Sequence, residues 1–576
     1  MYFSRLWIFL PLLAEFGCKK KAHGPPPRYA VVRFENLSGD PALDWTGRAA
    51  SEVLSVTLAG ALDGPVLSTA ALARLGPTLG ARPAAAPGIS TERAAAQFAG
   101  ATRIVAGYIE RATGGIRIVA SERDLVSGKT LGTFSARGSV PLTALTGLGK
   151  EFTPAAKPYL TSNTSALQDY LQAMEEPVEA SEGDLEKAVK LDPDFGPAWV
   201  AQVRLTRLRA SPDAAATAIA EAKTHKLDPL SLAELNSETA AMSGDEAAKL
   251  AATRKVAALS PGDTVLLRTL AESESAGGEF AAAASDWKKL AELLPGDVQI
   301  LNSLGYARGW AGDYAGAMAA LQEYRTLRPN DANPLDSIGE LQYTNRKFGE
   351  AAASWQQAYA KDPKFERGGE LYKTAWAKFQ TGDRKSADAL FEQFRAARAK
   401  ASDPFLPLLM ADWLYRTGHM PDAVASLRKM VSENQQAALK SGAYTQLAIW
   451  DLIDGNRAEA LKDALAAGNP NSGPAIIARF CVEPSASAEE WQTRSERLVS
   501  APAMAQFRRT ALGYALLFDG KRAAAIPVWA EIVKSSPATD FFSRAIYARL
   551  LKQPETRPLL PDPNNVNQLR ALLDKL

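Results

Sequence analysis

The sequence predicts two kinds of structure in one chain: an α+β domain with a mixed sheet and helices, then a long all-α solenoid of helix pairs. Three observations predict this. Strand-like and helix-like stretches alternate only between residues 28 and 150. From residue 164 onward the sequence is alanine-rich and punctuated by leucine. Within that part Pro261, Pro295, Pro329 and Pro363 recur every 34 residues, and a fixed period of that size marks repeated supersecondary units.

Length and charge narrow the function classes. A chain of 576 residues exceeds what one core serves. The 66 Lys and Arg residues nearly balance 64 Asp and Glu, for a net charge of +2. No long run of either sign follows the first 25 residues, which argues against a nucleic-acid stripe or a polybasic membrane face. His23, His225, His419, Cys18 and Cys481 are scattered, so neither metal-ligand spacing nor a disulfide framework beyond one bridge is present. No cofactor, metal or nucleic acid is expected.

Residues 1–27 read as an address. Arg5 precedes the apolar run Leu6–Ala14, which is too short for a bilayer core needing about 20 residues but suits an export signal. Gly17-Cys18-Lys19-Lys20-Lys21 follows and resembles a bacterial lipoprotein signal, although Glu15 departs from the usual leucine. The resemblance implies lipidation at Cys18 and a membrane anchor on the periplasmic side of the envelope. An ordinary cleaved signal or an uncleaved short anchor is the alternative. Pro25-Pro26-Pro27 is a stiff spacer.

Residues 28–150 give the α+β domain. Strands are expected at Tyr29–Phe34, Val66–Ser68, Arg103–Arg111, Ile116–Arg123 and Thr130–Ser135. Helices are expected at Trp45–Ala61, where Ala50, Leu54 and Leu58 share a face, and at Thr91–Ala99. Gly114-Gly115 and Ser127-Gly128 are turn signals. A mixed sheet with helices on one face would bury this pattern. Ser127-Gly128-Lys129-Thr130 has the tail of a phosphate loop, but Arg123 stands where that loop needs glycine and a strand follows, so it reads as a hairpin turn. The stretch FENLSGDPALDW (Phe34–Trp45), with the amphipathic helix after it, resembles the TolB-like amino-terminal domain. GATRIVAGYIERATGGIRIVASERDLVSGKTLGTF (Gly100–Phe134) resembles the strand meander of that family. The resemblance implies a non-catalytic accessory or sensing module and carries over no active-site residue.

Residues 151–163 read as a linker, and 164–576 as the solenoid. In the unit Ala332–Phe365, Leu335, Ile338, Gly339, Phe348, Ala351, Trp355, Ala358 and Pro363 stand at positions 4, 7, 8, 17, 20, 24, 27 and 32. The preceding unit places Leu301, Leu304, Gly305, Ala317, Leu321 and Pro329 in matching slots, and Leu512, Gly513, Ala525, Trp529, Ile532 and Pro537 repeat them downstream. The pattern resembles the tetratricopeptide repeat (TPR) family: apolar slots on the facing stripes of two helices, small residues where they cross, proline to stop the second. Gly305 is expected to be a packing residue and Gly312 a turn; Gly309 has no assigned slot and is expected on the inner face.

The resemblance implies a concave groove lined by the first helix of each pair, and hence a protein-binding scaffold, not an enzyme. Its ligand-facing slots 2, 5, 9, 12 and 13 map onto Arg268 and Glu272; Gln299, Asn302, Tyr306 and Trp310; Asp336, Glu340 and Tyr343; and Arg367, Glu370 and Lys378. The lysine–asparagine carboxylate clamp of chaperone-binding members is absent. The expected partner is a peptide or protein. The alternatives are a regulatory subunit or enzyme with a site assembled across repeats, and self-assembly into a homo-oligomer.

Overall fold

The computed structural model describes residues 26–75, 89–175, 181–209, 212–434, 436–468, 490, 493, 505–536, 538–554, 557–562 and 569–576. The export signal with Cys18, and Cys481, lie outside the described residues. The chain is an α+β domain followed by an all-α solenoid. It divides into two compact units, Met1–Met242 with Ala258–Val265, and Ser243–Ala257 with Leu266–Leu576.

In the first unit, strands β1 (Tyr29–Val31), β2 (Glu35–Asn36), β3 (Val66–Leu67), β4 (Arg103–Ala112), β5 (Gly115–Asp124) and β6 (Thr130–Gly138) form a sheet of order β3-β1-β4-β5-β6, with β2 also on β4. The β1, β2 and β3 pairings are parallel, while β4-β5-β6 is an antiparallel meander with Tyr108 opposite Val119. The FENLSGDPALDW stretch is a self-bonded loop. Asn36 Nδ2 donates to the Asp44 carboxylate at 2.6 Å and to the Asp40 carbonyl at 2.8 Å. The Asp40 carboxylate caps the short turn after it.

The expectation of helices on one face is corrected. Helix α1 (Trp45–Leu58) covers the face carrying Val31, Val105 and Ile118. Helices α2 (Thr69–Arg74) and α3 (Ile89–Phe98) cover the other side at Ala30 and Leu67. Adjacent strand residues point to opposite faces, and β1 is apolar on both. A helix that the sequence reading omitted, α4 (Pro141–Phe152), joins α1 through Leu142, Leu145 and Leu148.

The boundary expected between residues 150 and 164 does not divide the packing. Helices α5 (Thr164–Glu175), α6 (Ser181–Leu191), α7 (Gly196–Arg209), α8 (Pro212–Ala222) and α9 (Pro229–Ser243) follow. Leu167 and Leu171, then Val189, Trp199, Ile219 and Leu235, belong to the same core as Leu54 and Leu145.

In the second unit α10 (Glu246–Leu259) is followed by the pairs α11 (Thr264–Gly277) and α12 (Phe280–Leu293), α13 (Val298–Trp310) and α14 (Tyr314–Leu327), α15 (Asn333–Thr344) and α16 (Phe348–Lys361), α17 (Gly369–Gln380) and α18 (Arg384–Lys400), α19 (Leu406–Arg416) and α20 (Met420–Glu433), α21 (Ala437–Ile453) and α22 (Arg457–Ala466), and α23 (Ala505–Phe518) and α24 (Arg522–Ser535), then by α25 (Phe541–Leu550) and α26 (Arg570–Lys575). Helices α10, α12, α14 and α16 each end two residues before Pro261, Pro295, Pro329 or Pro363, as a residue lacking an N–H donor requires. The small slots are tight. A Cβ on Gly339 would sit 2.6 Å from the Trp355 ring nitrogen, and one on Gly305 2.7 Å from Leu321. Gly309 is a close-approach position too: a Cβ there would lie 2.6 Å from Leu341 of the next pair. No described helix is long and apolar enough to cross a membrane.

Candidate functional site on the first-helix face

Helices α11, α13, α15, α17, α19 and α21 are the first members of their pairs. Their carboxyl-terminal ends are met by the end of the chain itself. The Ala538 N–H donates to the Ala276 carbonyl at 3.0 Å, beside α11. Phe541 lies 6.0 Å, ring to ring, from Trp310 on α13. Arg557 donates to the Trp310 carbonyl at 3.4 Å while its guanidinium covers Phe541. Leu560 packs against the group of Tyr343, Trp355 and Ala377. Asp574 pairs with Arg416 at 3.3 Å and Lys575 with Asp454 at 3.7 Å.

The residues expected in a groove therefore have different surroundings. Trp310 and Tyr343 are covered: Trp310 by Phe280, Tyr306 and Phe541, and Tyr343 by Phe348, Trp355 and Leu560, leaving it only 3% exposed. Glu272, Gln299 and Arg367 are exposed. Arg268 is half-buried, pairs with Asp297 at 3.1 Å and leans over Trp287; Lys378 lies 3.9 Å from Asp383. Asn302 is half-buried, and its side-chain oxygen has no hydrogen-bond partner. Tyr306, Asp336, Glu340 and Glu370 gather in one place.

That place is an acidic cluster around Lys373, a residue the sequence reading passed over. Asp336 and Glu340 stand one helical turn apart on α15, so they share a face. Lys373 on α17 reaches Asp336 at 2.8 Å, Glu340 at 3.2 Å and Glu366 at 3.0 Å. The Tyr306 hydroxyl donates to Glu340 at 2.6 Å. Glu366 is aimed inward by a turn in which it and Arg367 both take left-handed backbone angles, φ 42° and 57°. Such angles cost a non-glycine residue roughly 1–3 kcal/mol each. Glu370 is fully buried, and neither of its carboxylate oxygens has a hydrogen-bond partner.

Burial sets the electrostatics. It pushes Asp336 up to about 7, with Glu340 adding to the rise and Lys373 opposing it. It pushes Glu370 up to about 8. Burial also works against the Lys373 charge, but the surrounding carboxylates outweigh it and hold that pKa above the ordinary lysine value. The Tyr306 hydroxyl is raised by burial and then by Glu340, so it stays a donor.

The slots assigned to Arg367, Glu370 and Lys378 are out of phase, for a structural reason. The left-handed residue in the turn within each pair falls at Gly278, Gly312 and Arg346, then at Gly382, which is 36 residues on instead of 34. Two extra residues are absorbed in the turn before α17. In the corrected phase the small slot is Ala375, fully buried, and Glu370 points to the core. The expectation of no metal-ligand cluster rested on His and Cys spacing. Folding instead brings Asp336, Glu366 and Glu370 together, with one carboxylate oxygen from each inside a span of 4.8 Å.

No family model matches the chain, and no curated protein matches it. Among solved structures it is similar to MamA from Desulfovibrio magneticus RS-1, at 18% identity over 31% of this chain and 98% of that one, with a TM-score of 0.26. It is also similar to a tetratricopeptide repeat protein from Parabacteroides merdae ATCC 43184, at 14% identity over 44% and 97%, with a TM-score of 0.29. The C-terminal part of a TPR repeat-containing protein from Cytophaga hutchinsonii is similar at 13% identity over 40% and 93%, with a TM-score of 0.31.

Proposed function

We propose that the chain is a non-catalytic scaffold that holds a segment of a partner protein on the first-helix face of its repeats. One observation carries this reading: the face already holds polypeptide, because the chain's own Ala538, Phe541, Arg557, Leu560 and Asp574 lie against α11, α13, α15 and α19. Those contacts use what a partner would use, namely an aromatic ring on Trp310, an arginine to its carbonyl and an acid on Arg416. Glu272 on α11 and Gln299 on α13 remain exposed.

The α+β domain is read as a TolB-like accessory module, supported by its FENLSGDPALDW loop and strand meander. The apolar run before Cys18 supports export and a lipid anchor on the periplasmic side of the envelope. Cys18→Ser should then move the protein from the membrane fraction to the soluble fraction of the cell; unchanged membrane association would remove the anchor.

The scaffold reading is tested by affinity capture from the cell of origin. A chain carrying Glu272→Lys and Gln299→Lys should melt like the wild type and lose a protein that the wild type retains. Equal retention by both chains would place binding elsewhere.

A further inference from the structure

We propose that Asp336, Glu366 and Glu370 form a divalent-cation site, with Lys373 as the counter-ion that holds the carboxylates together when no metal is bound. Glu370 is buried with nothing bonded to its carboxylate. A carboxylate fully removed from water and without a hydrogen-bond partner is among the costliest groups a fold can hold. It lies beside two more carboxylates that converge with it within 4.8 Å, a span three oxygens around one cation adopt. Asp336 is buried as well, and Glu340 adds a fourth acid.

The charge balance points the same way. With four carboxylates ionised, Lys373 offsets only one. A dication would offset the excess and supply the partner that the Glu370 carboxylate lacks. Lys373 then keeps its contact with Glu340, which is not one of the three ligands.

The donor set chooses the ion. All three ligands are oxygen, with no imidazole or thiolate among them, which selects hard cations. Mg²⁺ gives up its waters reluctantly, and two of the three ligands are buried. Ca²⁺ and Mn²⁺ are therefore expected to bind ahead of Mg²⁺. The ligands come from α15, the turn before α17, and α17, so an ion would tie successive repeats together. This assignment stands apart from the scaffold reading.

The test uses the full chain after chelator treatment, titrated calorimetrically with Ca²⁺, Mn²⁺ and Mg²⁺ in turn and melted with and without each. The wild type should bind Ca²⁺ or Mn²⁺ saturably, once per chain, and melt higher when loaded. Glu366→Gln, at the partly exposed ligand, and Glu370→Gln should each weaken binding by more than about tenfold, as even indirect supports of a metal site do. Should Glu370→Gln fail to fold, Glu366→Gln decides. Lys373→Met should melt lower than wild type in chelator and recover on adding the ion, a rescue that loss of a purely structural ion pair would not give. No saturable binding by the wild type, or wild-type affinity in Glu366→Gln, would overturn the site.

Discussion

Gly339 faces the indole of Trp355 with no room for a side chain. Gly339→Leu should therefore cost about 1–3 kcal/mol through overpacking, read as a lower denaturant midpoint with unchanged slope. Gly349, in the next helix, meets nothing within 4 Å. Gly349→Ala should be neutral or stabilising by up to about 1 kcal/mol, so the pair separates close approach from mere glycine content. A different residue governs the pH response of the first unit. Glu52 on α1 is buried, accepts hydrogen bonds from Thr69 and from the Tyr159 hydroxyl, and has its pKa raised by burial above all. A carboxyl whose folded pKa lies above its unfolded value binds more protons when folded. Its contribution is then present at low pH and lost as pH rises from the unfolded carboxylate value, about 4.3, through the raised folded one. Glu52→Gln should flatten that decline, measured as the melting temperature of the first unit against pH; an unchanged slope would mean another group controls it.

The turns within pairs show how an element is specified. The left-handed position is glycine at 244, 278, 312, 382, 418, 455 and 520, and arginine only at Arg346, with φ 61°. Arg346→Gly should stabilise α15 and α16 by roughly 1 kcal/mol, because an L side chain pays about 1–2 kcal/mol for that conformation. A lower melting temperature would show that the arginine makes a compensating contact. The same series explains what could be read in advance. Proline, small-residue and glycine slots are local and repeat, so the helix pairs from α11 to α16 were legible from the sequence. Beyond Pro363 the sequence shows that units carry small insertions and turn at Gly382, but no proline fixes where the two extra residues sit, so the slots before α17 were assigned out of phase. The acidic cluster follows from the placement of that insertion. It joins two residues of α15 to Glu366 in the lengthened turn and to Glu370 and Lys373 one repeat on, and no spacing along the chain announces the meeting.

At the scale of the molecule, each compact unit holds its own cores. The first joins the sheet to α4 through α9 in a single apolar cluster, which is why the proline- and serine-bearing stretch near residue 160 looked like a linker but is not one: Tyr159 lies inside it. The second is a file of smaller clusters, such as Ala317, Leu321, Ile338 and Leu341, then Tyr343, Ala351 and Trp355, each shared between neighbouring helices, with Leu560 added to the latter. Stability in such a file is a sum of local and nearest-neighbour terms, so damage should stay near its origin. The Gly339→Leu chain tests this by native-state hydrogen exchange. Amides of α15 and α16 should open more easily by about 1–3 kcal/mol, the overpacking cost, and those of α14 and α17 by less. The β4-β5-β6 meander, in the other unit, should exchange at the wild-type rate, since none of its residues shares a cluster with Trp355. Equal acceleration in the meander would mean that the chain opens as one cooperative body and that its cores are not energetically separate.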